Sequence, residues 1–185
     1  MLKIFSGVLF SFFAIVLASA LLSCSQNPNV ANSEYDVKKA EARIAKVNAE
    51  IGDTLKKIVK TKQEWKAQLT KEEYYVLREA GTERSFTGDL WDNKKEGIYT
   101  CAACDLPLFD SSTKYKSGTG WPSFYQPINE DHLGRDTDQN LGYTRNEVHC
   151  ARCGGHQGHV FNDGPKPTGL RYCINSVSLN FVEQK

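Results

Sequence analysis

The stretch Arg171-Tyr172-Cys173-Ile174-Asn175-Ser176-Val177-Ser178-Leu179-Asn180-Phe181 has the composition of a β-strand. Side chains on a strand alternate between two faces. That alternation places Arg171, Cys173, Asn175, Val177, Leu179 and Phe181 on one side. The last three are apolar and anchor the face in a core. The first three set a thiol between a guanidinium and an amide. A neighbouring cation favours the thiolate, the reactive form of cysteine. Cys173 therefore reads either as a nucleophile at the mouth of a packed sheet or as a small buried hydrophobe, the commonest fate of a free cysteine. The rest of the chain has to decide.

Upstream of this stretch the chain is rich in short strand-like runs. Ile98-Tyr99-Thr100 and Glu147-Val148-His149 are two of them, broken by Gly, Pro, Asp and Asn. No long helical pattern separates such runs from Thr82 onward, which predicts antiparallel sheets rather than a βαβ layout. Trp65 and Leu69 are four apart, and Thr70-Lys71-Glu72-Glu73 has the form of a capping box. The helix it opens should bury Tyr74 and Leu77 and run to Ala80, with Gly81 as the left-handed residue beyond its end. A compact domain is expected over residues 61–185, long enough to bury a real core.

The first 60 residues read as accessories. Lys3 precedes a nearly unbroken apolar run from Val8 to Leu22, shorter than a comfortable membrane span. Leu21-Leu22-Ser23-Cys24-Ser25 resembles a bacterial lipoprotein cleavage box, so residues 1–23 are expected to be a signal peptide. Lipidation of Cys24 would then anchor the chain to a membrane on the extracytoplasmic side of the cell envelope. An uncleaved signal anchor and a soluble exported protein are the alternatives. Residues 25–33 are polar and suit a tether. Val37, Ala40, Ile44, Val47, Ile51, Leu55 and Ile58 then recur at three- and four-residue steps, the periodicity of a helix. Residues 24–60 are thus expected to form a tether and a stalk helix. A formal net charge of +1 gives no reason to expect a nucleic-acid partner.

Six cysteines are present. Cys101-Ala102-Ala103-Cys104 and Cys150-Ala151-Arg152-Cys153 are two C-x2-C pairs separated by a β-rich segment, the ligand pattern of a closed, structural four-thiolate zinc site. Disulfides are the rival, since the protein reads as exported. With Cys24 assigned to the signal, Cys173 is left alone, and a leftover cysteine in an exported protein suggests a reactive thiol. His156-Gln157-Gly158-His159-Val160-Phe161 follows the second knuckle, with a turn expected at Gly158. His159 with Asp163 could form an imidazole oriented by a carboxylate. A second metal site or polar packing is the plainer reading of the histidine pair. In Ser117-Gly118-Thr119-Gly120-Trp121-Pro122-Ser123-Phe124-Tyr125, three aromatics beside glycines could wall a small apolar group or simply feed the core.

Taken together, Ser-Gly-x-Gly-Trp-Pro-Ser-Phe at 117–124, Cys150-x2-Cys153, His156-x-Gly-His159-Val-Phe-x-Asp163-Gly-Pro and Arg171-Tyr-Cys173-x-Asn175-Ser resemble methionine sulfoxide reductase type B. The resemblance spans about residues 64–181. It implies two antiparallel sheets with short N-terminal helices and a structural zinc on Cys101, Cys104, Cys150 and Cys153. It also implies reduction of the R epimer of methionine sulfoxide in proteins. Cys173 would attack the sulfoxide sulfur and end as a sulfenic acid, with His159 and Asp163 supplying the proton. Arg171, Asn175 and His156 would organise the site, and Trp121 would receive the substrate methyl group, with Phe161 beside the substrate. Many members carry a resolving cysteine where this chain has Thr119, so a thioredoxin-like donor is expected to reduce the sulfenic acid directly. Gln157 stands where leucine is common and is expected, if anything, to alter substrate contacts.

Three other readings compete. A zinc-ribbon binding module explains the knuckles but neither Cys173 nor the histidine pair. A thiol peroxidase would use the same cysteine chemistry, and turnover on peroxide against methionine sulfoxide separates the two. A cysteine hydrolase would need an oxyanion hole, for which the sequence offers no signal.

Overall fold

The computed structural model describes residues 55–139, 142 and 144–184. The signal run, Cys24, the tether and the periodic segment 34–54 lie outside them. Residues 55–60, the end of that periodic segment, are not helical. Leu55 and Ile58 instead pack partly against the domain core, and the Ile58 N–H donates to the Arg152 carbonyl at 2.8 Å. The last two apolar positions of the pattern therefore serve the compact domain. Among the described residues no helix is long and apolar enough to cross a membrane.

Two short helices open the domain, α1 (Lys62–Gln68) and α2 (Lys71–Glu79). Each is held by a reciprocal capping box. In α2 the Thr70 N–H donates to Glu73 Oε2 at 2.7 Å and the Glu73 N–H to Thr70 Oγ1 at 3.2 Å. Thr61 and Glu64 do the same for α1, a box the sequence reading missed. Tyr74 and Leu77 face inward as expected, and Val76 is buried with them. The left-handed residue at the end of α2 is Ala80, with φ 52°, not Gly81. Gly81 has a different reason to be glycine: a Cβ there would lie 2.3 Å from the Tyr75 ring.

Eight strands follow: β1 (Gly97–Cys101), β2 (Pro107–Asp110), β3 (Ser123–Phe124), β4 (Leu133–Asp138), β5 (Arg145–Cys150), β6 (His156–Phe161), β7 (Arg171–Ile174) and β8 (Leu179–Glu183). They form a three-stranded sheet in the order β2-β1-β8 and a five-stranded sheet in the order β3-β7-β6-β5-β4. Every pairing is antiparallel, as expected. Aromatic rings from both sheets meet in the core. Phe109 of β2 stacks on Phe124 of β3 with centroids 4.3 Å apart. Tyr99 of β1 and Tyr172 of β7 approach the same pair edge-on or tilted.

The stretch 171–181 is not one strand. β7 ends at Ile174, Asn175 turns the chain, Ser176–Ser178 form a 3-10 turn, and β8 continues in the other sheet. Arg171 and Cys173 do share a face, but Val177, Leu179 and Phe181 do not extend it. The core anchors of β7 are Tyr172 and Ile174 on the opposite face, both fully buried. The break is fixed from outside the stretch. The Glu83 carboxylate accepts the Ser176 N–H at 2.6 Å and the Val177 N–H at 2.9 Å, satisfying donors that a continuous ladder would have used.

Candidate active site

The register of the large sheet brings the chemistry together. Cys173 on β7 stands opposite His159 on β6 and opposite Ser123 on β3. Glu147 on β5 stands opposite His159. Directly opposed residues of antiparallel strands point to the same face, with Cβ atoms about 5 Å apart. A thiol, an imidazole and a hydroxyl thus share one surface of the sheet. Gly158 marks no turn; it lies within β6. A Cβ at Gly158 would sit 2.1 Å from the Cys173 carbonyl oxygen, so only glycine admits the backbone of β7 there.

The thiol of Cys173 is half-buried. Burial pushes its pKa up, against the hydrogen bond from Thr119 and the charge of Arg171, which favour the thiolate. The guanidinium acts in the expected direction, but desolvation outweighs it. At rest the proton belongs to the sulfur.

Two carboxylates orient the site, and they divide the work differently from the sequence expectation. Asp163 does not hold His159. It forks onto Arg171, with Oδ1 and Oδ2 each accepting at 2.8 Å, while the guanidinium lies 4.4 Å over the Phe161 ring. The partner of His159 is Asp138, whose Oδ2 lies 2.8 Å from the ring Nε2. Asp138 also pairs with Arg145. A carboxylate there accepts, so Nε2 carries the proton and Nδ1 keeps its lone pair when the ring is neutral. Burial pushes the His159 pKa down, and the hydrogen bond the ring donates to Asp138 opposes that shift. The stability linked to the neutral ring is present above the ordinary histidine value of 6.5 and is lost as pH falls through the depressed one. Asp138→Asn keeps an oxygen for the ring N–H but removes the charge that favours imidazolium. It should therefore move the His159 titration, followed by NMR, to still lower pH; an unmoved midpoint would separate Asp138 from the ring.

The other predicted residues surround this pair. His156 stacks edge-on to His159, with centroids 5.4 Å apart, and its Nδ1 meets Glu147 Oε1 at 2.6 Å. Asn175 is buried and engaged with backbone: its Nδ2 donates to the Gln157 carbonyl at 3.0 Å and its Oδ1 accepts the Glu83 N–H at 3.1 Å. The Trp121 indole N–H donates to the Glu83 carbonyl at 3.3 Å. Glu83, which no motif marked, thus ties Trp121, Asn175 and the turn after Cys173 into one unit. The aromatic-rich loop splits between its two readings, with Phe124 fully buried in the core and Trp121 half-exposed beside the site.

The four knuckle cysteines converge beside the start of β6. Their sulfur atoms lie within 4.8 Å of one another. Cys101 and Cys153 are 3.7 Å apart and Cys104 and Cys150 are 3.6 Å apart, and all four are free rather than disulfide-bonded. A tetrahedron with metal–sulfur bonds of about 2.3 Å has edges of about 3.8 Å, so this donor set fits a metal ion. Gln157 belongs here and not with the substrate. It is fully buried, and its amide donates to Cys101 Sγ at 3.5 Å and to the Gly155 carbonyl at 3.2 Å.

Comparison with known proteins matches the SelR domain to residues 69–183. The chain is 55% identical over 125 residues to peptide methionine sulfoxide reductase MsrB of Leptospira interrogans, covering 68% of this chain and 95% of that protein. It is 59% identical over 130 residues to the protein of the same name from Methanosarcina barkeri, covering 70% and 92%. It is 45% identical over 160 residues to the chloroplastic peptide methionine sulfoxide reductase B1 of Arabidopsis thaliana, covering 86% and 79%.

Proposed function

Because the chain belongs to the SelR-domain family of peptide methionine sulfoxide reductases, we propose that it reduces methionine-R-sulfoxide in oxidised proteins through a sulfenic acid on Cys173. The observation that carries this reading is the cross-strand placement of Cys173 beside His159, with Arg171 fixed by Asp163 on the same strand end.

The chemistry follows from where the protons rest. The thiol is held protonated and the imidazole neutral. As substrate is attacked, His159 can take the thiol proton on Nδ1, and Asp138 stabilises the imidazolium that forms. The Cys173 sulfur bonds to the sulfoxide sulfur, and His159 passes the proton to the sulfoxide oxygen. The hydroxyl then moves from the methionine sulfur to Cys173 as the sulfur–sulfur bond breaks and its electron pair stays on methionine, so methionine sulfur is reduced by two electrons and Cys173 is oxidised by two. Trp121 would receive the substrate methyl group, with Phe161 and the Arg171 guanidinium closing the other side. Thr119 occupies the place of a resolving thiol, and the remaining cysteines among the described residues gather in the group that could hold a metal. Regeneration therefore falls to a thioredoxin-like donor. Its first thiol forms a disulfide with Cys173 and releases water; its second frees Cys173 and leaves the donor oxidised.

The four cysteines would hold zinc as a closed thiolate centre, with a structural role and no position for substrate. The signal run and Cys24 support a lipid-anchored enzyme in the cell envelope, carried on a tether and stalk and repairing extracytoplasmic proteins.

The test is a single-turnover assay on peptides carrying each sulfoxide epimer, without reductant. The R epimer should be consumed, and the mass of the Cys173 peptide should increase by one oxygen atom. An intramolecular disulfide at Cys173, or equal consumption of both epimers, would overturn the reading.

A further inference from the structure

Three hydroxyls stand in line behind the sulfur of Cys173. Thr119 Oγ1 lies 3.8 Å from Cys173 Sγ, and Ser117 Oγ lies 2.8 Å from Thr119 Oγ1. Ser123 Oγ lies 2.7 Å from Ser117 Oγ and donates to the Trp121 carbonyl at 3.2 Å. The Thr119 N–H also donates to Ser117 Oγ, at 3.3 Å.

Each hydroxyl owns one proton and two lone pairs, so the directions are constrained. Ser123 gives its proton to the Trp121 carbonyl and must accept from Ser117. Ser117 has then used its proton and accepts twice, from the Thr119 hydroxyl and from the Thr119 N–H. Thr119 has used its proton in turn, so it accepts from the thiol of Cys173. Every partner in the line is satisfied when the sulfur is protonated.

Removal of the thiol proton reverses the line. Thr119 now donates to the sulfur, Ser117 donates to Thr119, and Ser123 donates to Ser117. Three hydroxyls rotate, no heavy atom moves, and the Trp121 carbonyl is released. We propose that Thr119, Ser117 and Ser123 form a reversible hydroxyl relay that supports Cys173 in both protonation states and links the nucleophile to the backbone of the loop carrying Trp121. The inference deepens the reading of Cys173 as the nucleophile and rests on it. The need is plain from the surroundings, since a thiolate formed in a half-buried site has lost much of its water and requires donors in its place. Thr119 is therefore a functional group in its own right, beyond the absence of a second thiol.

Ser123, opposite Cys173 on β3, also reaches the sulfur directly and favours the thiolate; the remaining groups facing it are Arg171 on its own strand, His159 on β6 and Tyr115 from the segment before the loop, with Asp163 acting through Arg171. None of them changes in the variants that test the relay. The full chain, with its metal, is treated with iodoacetamide across a pH series, and the rate at Cys173 is read from the mass of its peptide. Thr119→Val removes the hydroxyl and keeps the shape. It should raise the midpoint by about one pH unit, which is about a tenfold slower alkylation on the acid side. Thr119→Ser should restore the wild-type midpoint, and Ser117→Ala should shift it upward by less. A wild-type midpoint in Thr119→Val overturns the relay, as does a Thr119→Ser variant that behaves like Thr119→Val. The readout needs no sulfoxide, so it fails or succeeds separately from the reductase assay.

Discussion

Cys173→Ser should lower turnover of methionine-R-sulfoxide by at least about 10³-fold, the scale on which removal of an enzyme's nucleophile acts. Serine occupies nearly the same volume and can still accept or donate toward Thr119, so the relay keeps a partner. Its hydroxyl is far from ionised near neutral pH, and nothing in the site makes it an oxyanion. The His159–Asp138 pair would remain intact, because the hydrogen bond that joins it does not involve the sulfur. Nor does the substitution touch the core, since the fully buried residues of β7 are Tyr172 and Ile174. Stability should change by less than about 1 kcal/mol, as for a substitution outside the packed interior. Rate loss without loss of stability is the signature of a group that does chemistry. Equal rates on the R epimer for wild type and Cys173→Ser would remove Cys173 from the reaction altogether.

The parts of the site legible in the sequence are those set by local rules. Arg171 and Cys173 share a face because strand alternation is strict over three residues, and Thr70 and Glu73 cap because the box closes within one turn. The two knuckles announce themselves because C-x2-C geometry is local. Asp138 could not be found this way. It lies 21 residues before His159 and reaches it across β5, so only the register of three strands makes them partners. Asp163 was the nearer choice in sequence, but Arg171, brought to it by the return of β7, competes for it with two parallel hydrogen bonds. Glu83 was invisible for the same reason, since its contacts with Ser176 and Val177 span 93 and 94 residues. The alternating pattern beyond Asn175 misled because a 3-10 turn capped from outside leaves no mark on the composition of the stretch it interrupts.

The second large effect lies away from the sulfur chemistry. Cys101 ends β1 of the small sheet and Cys150 ends β5 of the large one, with Cys104 and Cys153 in the turns that follow. A metal on all four would bolt the two sheets together where β1 and β5 end, a place where the knuckle backbones are also reached by Arg78 from α2 and by Ile58. Structural zinc binding contributes about 10–16 kcal/mol in small zinc-finger domains, as much as the whole stability of an ordinary domain. Cys150→Ser should therefore release the metal and lower the melting temperature by more than about 10 °C, corresponding to several kcal/mol for a domain of this size. Elemental analysis should find one zinc ion per chain in the wild type and in Cys173→Ser, and none bound stoichiometrically in Cys150→Ser. Activity should fall with it, because β6 leaves the second knuckle directly into His156 and His159. A strong chelator should reproduce the thermal shift in the wild type and add nothing to Cys150→Ser. Disulfides at these positions would behave otherwise: a reductant, not a chelator, would lower the melting temperature, and that result would replace the metal centre with covalent staples.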